Sequence, residues 1–300
     1  MITLDRLLLK PNHLLLLVFL LCSSIFSARA SEKIKVVAVK GLAQQYNKIF
    51  LQKNVNVINI TELGIKGTSL SLAHLVIMQQ ALYKGGLDID FDFVISPNHK
   101  RSGALLSSGK AVISSFFSYA EAQPKDTYIS SAVMAPRTLK KGIYGLASNK
   151  ALMRVKSLDD LKPLKGVLVE AWKNDMKILK SHGITQIEVV PKYLNIFTRI
   201  AHRGIDYTLL DYPHNDELIQ YNNKIKLYPV PNLMLELEGS RHFFISKNHP
   251  DGKRVFTALE KGLGIMKDDG TIEKYFRQIK IIRDDFKHYK VLNKVNKNVK

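Results

Sequence analysis

Hydrolytic and metal-dependent chemistry each demand particular side chains at fixed spacings, and the sequence carries none of those constellations. There is no G-x-S-x-G nucleophile elbow and no H-E-x-x-H helix. The nine histidines are scattered, with no close pair at metal-ligand spacing. The single cysteine, Cys22, excludes an internal disulfide framework and a zinc site built on thiolates. The acidic pairs Asp159-Asp160 and Asp268-Asp269 fall where a helix start and a turn are expected, and His74, among apolar neighbours, reads as a packed or surface histidine rather than a ligand. No enzyme, cofactor or metal is therefore expected. Aromatic and charged side chains also stand beside strand-like segments, Phe117, Tyr119, Glu121, Arg137, Trp172, Asp211 and Arg241 among them. Side chains of these types stack on and hydrogen-bond a small polar solute.

The segments before and around them say where such a solute would be met. Residues 1–30 combine Arg6 and Lys10, an unbroken apolar run over 14–21, and Ala28-Arg29-Ala30 at the positions a signal peptidase reads. The apolar run is shorter than the about 20 residues a bilayer span needs. This predicts a cleaved signal peptide over 1–30, a chain beginning near Ser31, and a periplasmic location. A retained N-terminal anchor and lipidation of Cys22 are the alternatives, the latter disfavoured because Leu21 stands where a small residue is expected. The formal charge is +19, from 45 basic and 26 acidic side chains. The basic residues are spread along the chain, with one concentration over 287–300: Lys287, Lys290, Lys294, Lys297 and Lys300. No nucleic-acid-binding pattern accompanies them. The charge reads as a solvated surface with at most peripheral contact to anionic membrane.

Periodicity supplies the elements. A β-branched run at 34–39 suits a buried strand, a polar stretch holds a second candidate strand at 55–60, and 69–83 reads as a helix stopped by Gly85-Gly86. Residues 88–95 alternate as a strand, 98–106 form a short helix, and 111–114 a further strand. The middle repeats the alternation, with strands at 166–170, 187–190 and 207–210 and helices at 175–182 and 194–202. A strand at 243–246 and helices at 254–266 and 272–279 close the chain. Strands alternating with helices predict mainly parallel sheets in two tandem α/β units, which offer a cleft between them.

Four segments in this order resemble the bacterial extracellular solute-binding proteins of family 3. Ser107-Ser108-Gly109-Lys110-Ala111-Val112-Ile113 is similar to that family's strand entering the cleft, and Ser157-Leu158-Asp159-Asp160-Leu161-Lys162 to the opening of its second lobe. The run from Arg203 and Gly204 through Asp206 to Asp211 resembles its "G.vDavl.d" segment. Leu259-Glu260-Lys261-Gly262-Leu263 with Asp269-Gly270-Thr271-Ile272 resembles its closing helices. The resemblance spans about residues 34–280. It implies a two-lobed type II periplasmic-binding-protein fold: lobe 1 from 31–141, lobe 2 over 142–240, a return to lobe 1 over 241–286, and a basic tail over 287–300. Hinge strands are expected near 142–147 and 242–245. The implied activity is capture of a small polar solute by a monomer that serves an inner-membrane permease, with a signalling receptor as the alternative partner and an enzyme on the same fold as the lesser alternative.

The resemblance also distributes the candidates. Phe117 and Tyr119 would stack on ligand at the cleft mouth, and Trp172 would form a shelf on the turn leading into a helix. Asp211 stands where many members hold an acid for a ligand amine, and Arg241 lies near the second crossing. One departure matters: the arginine that clamps an amino acid's carboxylate is expected near Ala120 or Glu121, and no arginine occurs there before Arg137. Glu121 suits a cationic group, Arg137 is the substitute anion contact, and an ordinary amino-acid ligand is not expected.

Overall fold

The computed structural model describes residues 32–63, 69–213 and 216–294. The expected leader over 1–30, with Cys22 and the cleavage site, lies outside the described residues, as do Lys297 and Lys300. Lobe 1 begins with β1 (Glu32–Ala38), α1 (Lys40–Tyr46), α2 (Leu70–Lys84), β2 (Ile89–Ile95), α3 (His99–Ser107), β3 (Ile113–Ser114), β4 (Ser118–Tyr119) and β5 (Thr127–Ile129). Lobe 2 follows with β6 (Lys140–Gly145), β7 (Gly166–Val169), α4 (Lys173–Ser181), β8 (Ile187–Val190), α5 (Tyr193–His202), β9 (Thr208–Asp211), β10 (Gln220–Asn222), β11 (Ile225–Pro229) and β12 (Leu233–Glu236). The chain then adds β13 (Arg241–His242), β14 (Phe244–Ser246), α6 (Gly252–Asp268), α7 (Thr271–Gln278) and β15 (Lys290–Val291). No described helix is long and apolar enough to cross a membrane.

The expected two-lobed α/β architecture is present, but its sheets are mixed rather than mainly parallel. In lobe 1, β1 runs parallel to β2 and β3, while β14 runs antiparallel to both β3 and β5. In lobe 2, β6 is the centre and its neighbours β9, β11 and β12 are all antiparallel to it. Two strand pairs there are parallel: β7 with β8, joined to the rest through a bridge from Gly166 to Tyr207, and β12 with β15. The connections explain the difference: β10 and β11 form a hairpin around Asn223 in a left-handed conformation, so no helix reverses the chain between them. The candidate strand at 55–60 is instead a single 3-10 turn over Val57–Asn59.

The core of lobe 1 is built on α2, whose residues from Leu72 to Leu82 are all buried. A helix apolar on every face belongs inside a layer, not on its surface. Its two glutamines are satisfied: Gln79 donates to the Ile89 carbonyl at 3.1 Å, and Gln80 donates to the carbonyls of Val57 and Ile60 at 2.9 and 2.8 Å. The Ser69 hydroxyl caps the helix by accepting from the Leu72 N–H at 3.2 Å. Helix α6 crosses α2 at glycine: a Cβ on Gly262 would stand 1.7 Å from the Ala81 carbonyl oxygen.

Two antiparallel segments carry the chain between lobes. Arg137 donates its N–H to the Leu237 carbonyl at 2.8 Å, Leu237 to Leu139 at 3.1 Å, and Arg241 and Met134 exchange backbone bonds on the lobe 1 side. The crossings therefore lie over about 133–139 and 237–241, not 142–147 and 242–245. Gly142–Gly145 is inside β6, where Gly142 is packed by Tyr144 and Tyr212, and Phe244–Ser246 is inside the lobe 1 sheet. A third connection follows α7. Phe286 is buried with its ring 4.4 Å from that of Tyr212, and β15 pairs in parallel with β12. The Asn293 side chain accepts from the Glu236 N–H at 2.9 Å and donates to the Glu236 carbonyl at 2.8 Å. Residues 287–293 are thus an edge of lobe 2 rather than a free basic tail. Lys287 and Lys290 are exposed, while Phe286 and Tyr289 supply the apolar contact that docks the segment.

Gly262→Ala should cost about 1–3 kcal/mol through overpacking at the helix crossing, whereas Gly264→Ala on the same helix, with open space around it, should be neutral or slightly stabilising. Urea unfolding of the two variants checks this. His74 gives a second test. It is fully enclosed, neither ring nitrogen has a partner, and burial first, then the Arg241 charge, holds its pKa well below the ordinary imidazole value. The unfolded chain binds that proton below about pH 6.5 and the native state does not, so stability should fall with acidification, by up to about 1.4 kcal/mol per pH unit. His74→Leu should flatten the slope between pH 6.5 and 5 in denaturation series; an unchanged slope would refute this assignment.

Candidate ligand-binding cleft

A cleft of about 810 Å³ opens between the lobes, with walls drawn from both. On the lobe 1 side, β4 and β13 form a two-stranded ribbon that sets Tyr119 opposite Arg241. The Arg241 guanidinium lies 4.7 Å over the Tyr119 ring, and its Nη2 donates to the Tyr119 hydroxyl at 3.1 Å. Stacking of this kind fixes a guanidinium without neutralising it. Among the described residues no carboxylate forms an ion pair with Arg241. Gly239, on the second crossing, makes room for the ring: a Cβ there would stand 2.4 Å from Tyr119 Cδ1. Such a close approach admits only glycine.

The lobe 2 wall is organised around Lys141. Strand β6 places Lys141 in register with Asp211 on β9, and the first turn of α4 brings Asp175 in from the other side. The Lys141 side chain is 6% exposed and Asp175 5%, with Nζ 2.6 Å from Asp175 Oδ1. Asp211, 50% exposed, stands 3.8 Å from the same nitrogen. The Trp172 ring completes the enclosure, its centroid 4.2 Å from Lys141 Nζ. Burial alone would pull the Lys141 ammonium down, but Asp211 and Asp175 outweigh it and hold its pKa above the ordinary lysine value. The lysine is therefore a fixed cation. Tyr193, at the start of α5, approaches Trp172 with ring centroids 6.2 Å apart, and Gln220 donates to the Asp211 carbonyl at 2.6 Å.

Of the sequence-predicted residues, the structure brings Tyr119, Glu121, Trp172, Asp211 and Arg241 to this cleft. Glu121 stands exposed on a 3-10 turn at its rim. Phe117 does not reach it: its ring is buried in lobe 1, 3.4 Å from the His74 ring and 5.4 Å from that of Phe243, centroid to centroid. The chain bends at Ser115 and Phe116, just before Phe117, and only from Ser118 does it run as the strand that carries Tyr119. Arg137 is also elsewhere, exposed on the first crossing with its Nε 3.1 Å from both Glu238 carboxylate oxygens. It does not line the cleft, where a substitute anion contact would stand. Lys141 and Asp175 were missed by sequence reasoning. A lysine embedded in the strand-like Lys141-Gly142-Ile143-Tyr144 was the available signal for the first; nothing in Lys173-Asn174-Asp175 marks the second as buried.

Removing one partner of a buried ion pair strands the other. Lys141→Met should cost about 3–5 kcal/mol by leaving Asp175 charged and unpaired, and Lys141→Met/Asp175→Asn should recover most of that. Chemical denaturation of the two variants is the check; equal stability of the single variant and the parent protein would contradict it.

No family model matches the sequence, and no curated protein matches it. Solved structures do. The probable amino-acid ABC transporter extracellular-binding protein YtmK of Bacillus subtilis is similar at 18% identity and a TM-score of 0.55, covering 85% of this chain and 99% of its own. The periplasmic VFT2 domain of Bordetella pertussis BvgS is similar at 15% identity and a TM-score of 0.53, covering 84% and 93%. The amino acid ABC transporter substrate-binding protein AbpA of Streptococcus pneumoniae, bound to L-arginine, is similar at 14% identity and a TM-score of 0.50, covering 83% and 95%. With the sheet order and paired crossings described above, these likenesses give the chain a two-lobed periplasmic-binding-protein fold.

Proposed function

We propose that the protein is a periplasmic solute-binding protein that closes its two lobes over a small polar solute and delivers it to an ABC-type transporter. The observation that carries this reading is the composition of the cleft. Each lobe contributes an aromatic ring and a positioned cation, Tyr119 with Arg241 and Trp172 with Lys141, facing a common space. Aromatic faces and a few fixed polar groups hold a polar ligand, and rotation about paired crossings excludes water from it. YtmK and AbpA, described as transporter binding proteins, support the transport use. Residues 1–30 support export, and the protein acts as a monomer without a cofactor or catalytic turnover.

A second reading is a ligand-binding accessory of a membrane signalling receptor, favoured by the likeness to the BvgS sensor domain. Affinity capture from membranes distinguishes the two by recovering a permease or a receptor.

Trp172 is the only tryptophan and stands in the cleft, so its emission should shift when a solute binds. A ligand at 100 times its Kd should stabilise the folded protein by about 2.7 kcal/mol, a shift of a few degrees in Tm. Tyr119→Ala should weaken that response at least tenfold, with far-UV circular dichroism establishing that the variant is folded. A broad solute panel that moves neither Trp172 emission nor Tm would overturn the proposal.

A further inference from the structure

The enclosure that a ligand's ammonium would seek is filled by the chain itself. A cation-accepting site needs carboxylates and an aromatic face in a partly dehydrated setting. Asp175, Asp211 and Trp172 provide all three, and the group seated among them is the Lys141 ammonium, at 2.6, 3.8 and 4.2 Å respectively. A second ammonium could enter only in two ways. It could stand beside Lys141, where like charges a few ångströms apart repel in a medium less polar than water. Alternatively it could push Lys141 off Asp175, stranding a carboxylate that is 5% exposed. Across the cleft the situation is reversed. The Arg241 guanidinium is held flat against Tyr119, uses one donor on the Tyr119 hydroxyl, and has no carboxylate partner among the described residues. Its remaining donors suit a carboxylate or another oxyanion.

Resting on the reading that this cleft captures a solute, we infer that its ligand is a small organic acid without an amino group. Its anionic end is held by Arg241, and Lys141 stands in the place of a ligand amine. The acid is selected because the chain's own ammonium already satisfies Asp175 and Asp211.

The test is titration calorimetry on matched pairs that differ only in the amine: L-alanine against propionate, lactate and pyruvate, and L-glutamate against glutarate and 2-oxoglutarate. The expected result is that at least one amine-free acid binds with a Kd at least tenfold below that of its amino counterpart. Arg241→Gln should weaken that acid at least tenfold. Lys141→Met/Asp175→Asn removes the built-in cation together with its buried counter-charge and leaves Asp211 and Trp172 in place. It should gain at least tenfold for the amino acid of the pair and lose affinity for the acid. Far-UV circular dichroism and the unfolding midpoint establish that each variant is folded. Tighter binding of the amino acid by the unaltered protein would overturn this inference while leaving solute capture intact. Absence of binding by either series and by the broad solute panel would overturn both.

Discussion

A lysine buried inside a lobe must have its counter-charge delivered from a different part of the chain, and Lys141 shows what that requirement enforces. Its ammonium, 6% exposed, meets Asp175 at 2.6 Å. Asp175 can be there only if β7 ends at Val169 and the chain turns through Trp172 straight into α4. Asp211 can be there only if β9 pairs with β6 in the observed register. A one-residue slip of that pairing would put Asp211 on the opposite face and leave the cation under-compensated. One ion pair thus couples the centre of the lobe 2 sheet, the first turn of its helix and the only tryptophan, and those same parts form the wall of the cleft.

The lobe 1 wall is held by shape. The β4–β13 ribbon is two residues long on each strand, too short to be stable alone, and it persists because it continues directly into the crossings and into the sheet at β14. Gly239 lets the Tyr119 ring lie against that crossing, and Tyr119 in turn positions Arg241. The cleft therefore joins an electrostatically fixed wall to a sterically fixed one. The segment that returns to lobe 2 after α7, docked by Phe286 and clamped by Asn293 on Glu236, adds a third link between lobes and rides on the strand that begins the second crossing.

Much of lobe 1 was legible because its signals are local. The helix expected over 69–83 is α2, capped by Ser69 and ended at Gly85, and the closing helices expected over 254–266 and 272–279 are α6 and α7. Antiparallel pairing in lobe 2 was not legible, since a strand's direction relative to its neighbour leaves no mark on its own periodicity. The docking of 290–291 was hidden by lysines: composition described a tail, while Phe286 and Tyr289 carried the contact. At the site, Tyr119, Trp172, Asp211 and Arg241 lay at strand ends and could be found. Phe117 and Arg137 share that sequence signature but are drawn away, one by the His74 ring and the other by Glu238. Lys141 and Asp175 escaped because charge burial is a property of the assembled lobe.

Closure of the two lobes on a solute is read directly as an inter-lobe distance. Ile95 on lobe 1 and Leu194 on lobe 2 are both exposed, and no cysteine follows residue 22, so spin labels at Ile95→Cys and Leu194→Cys would be the only pair in a chain lacking the leader. Pulsed dipolar spectroscopy should give a broad distance distribution without solute and a shorter, narrower one at saturating solute. A distribution that is identical in the two conditions, for a solute that binds, would contradict closure and with it the mechanism of capture.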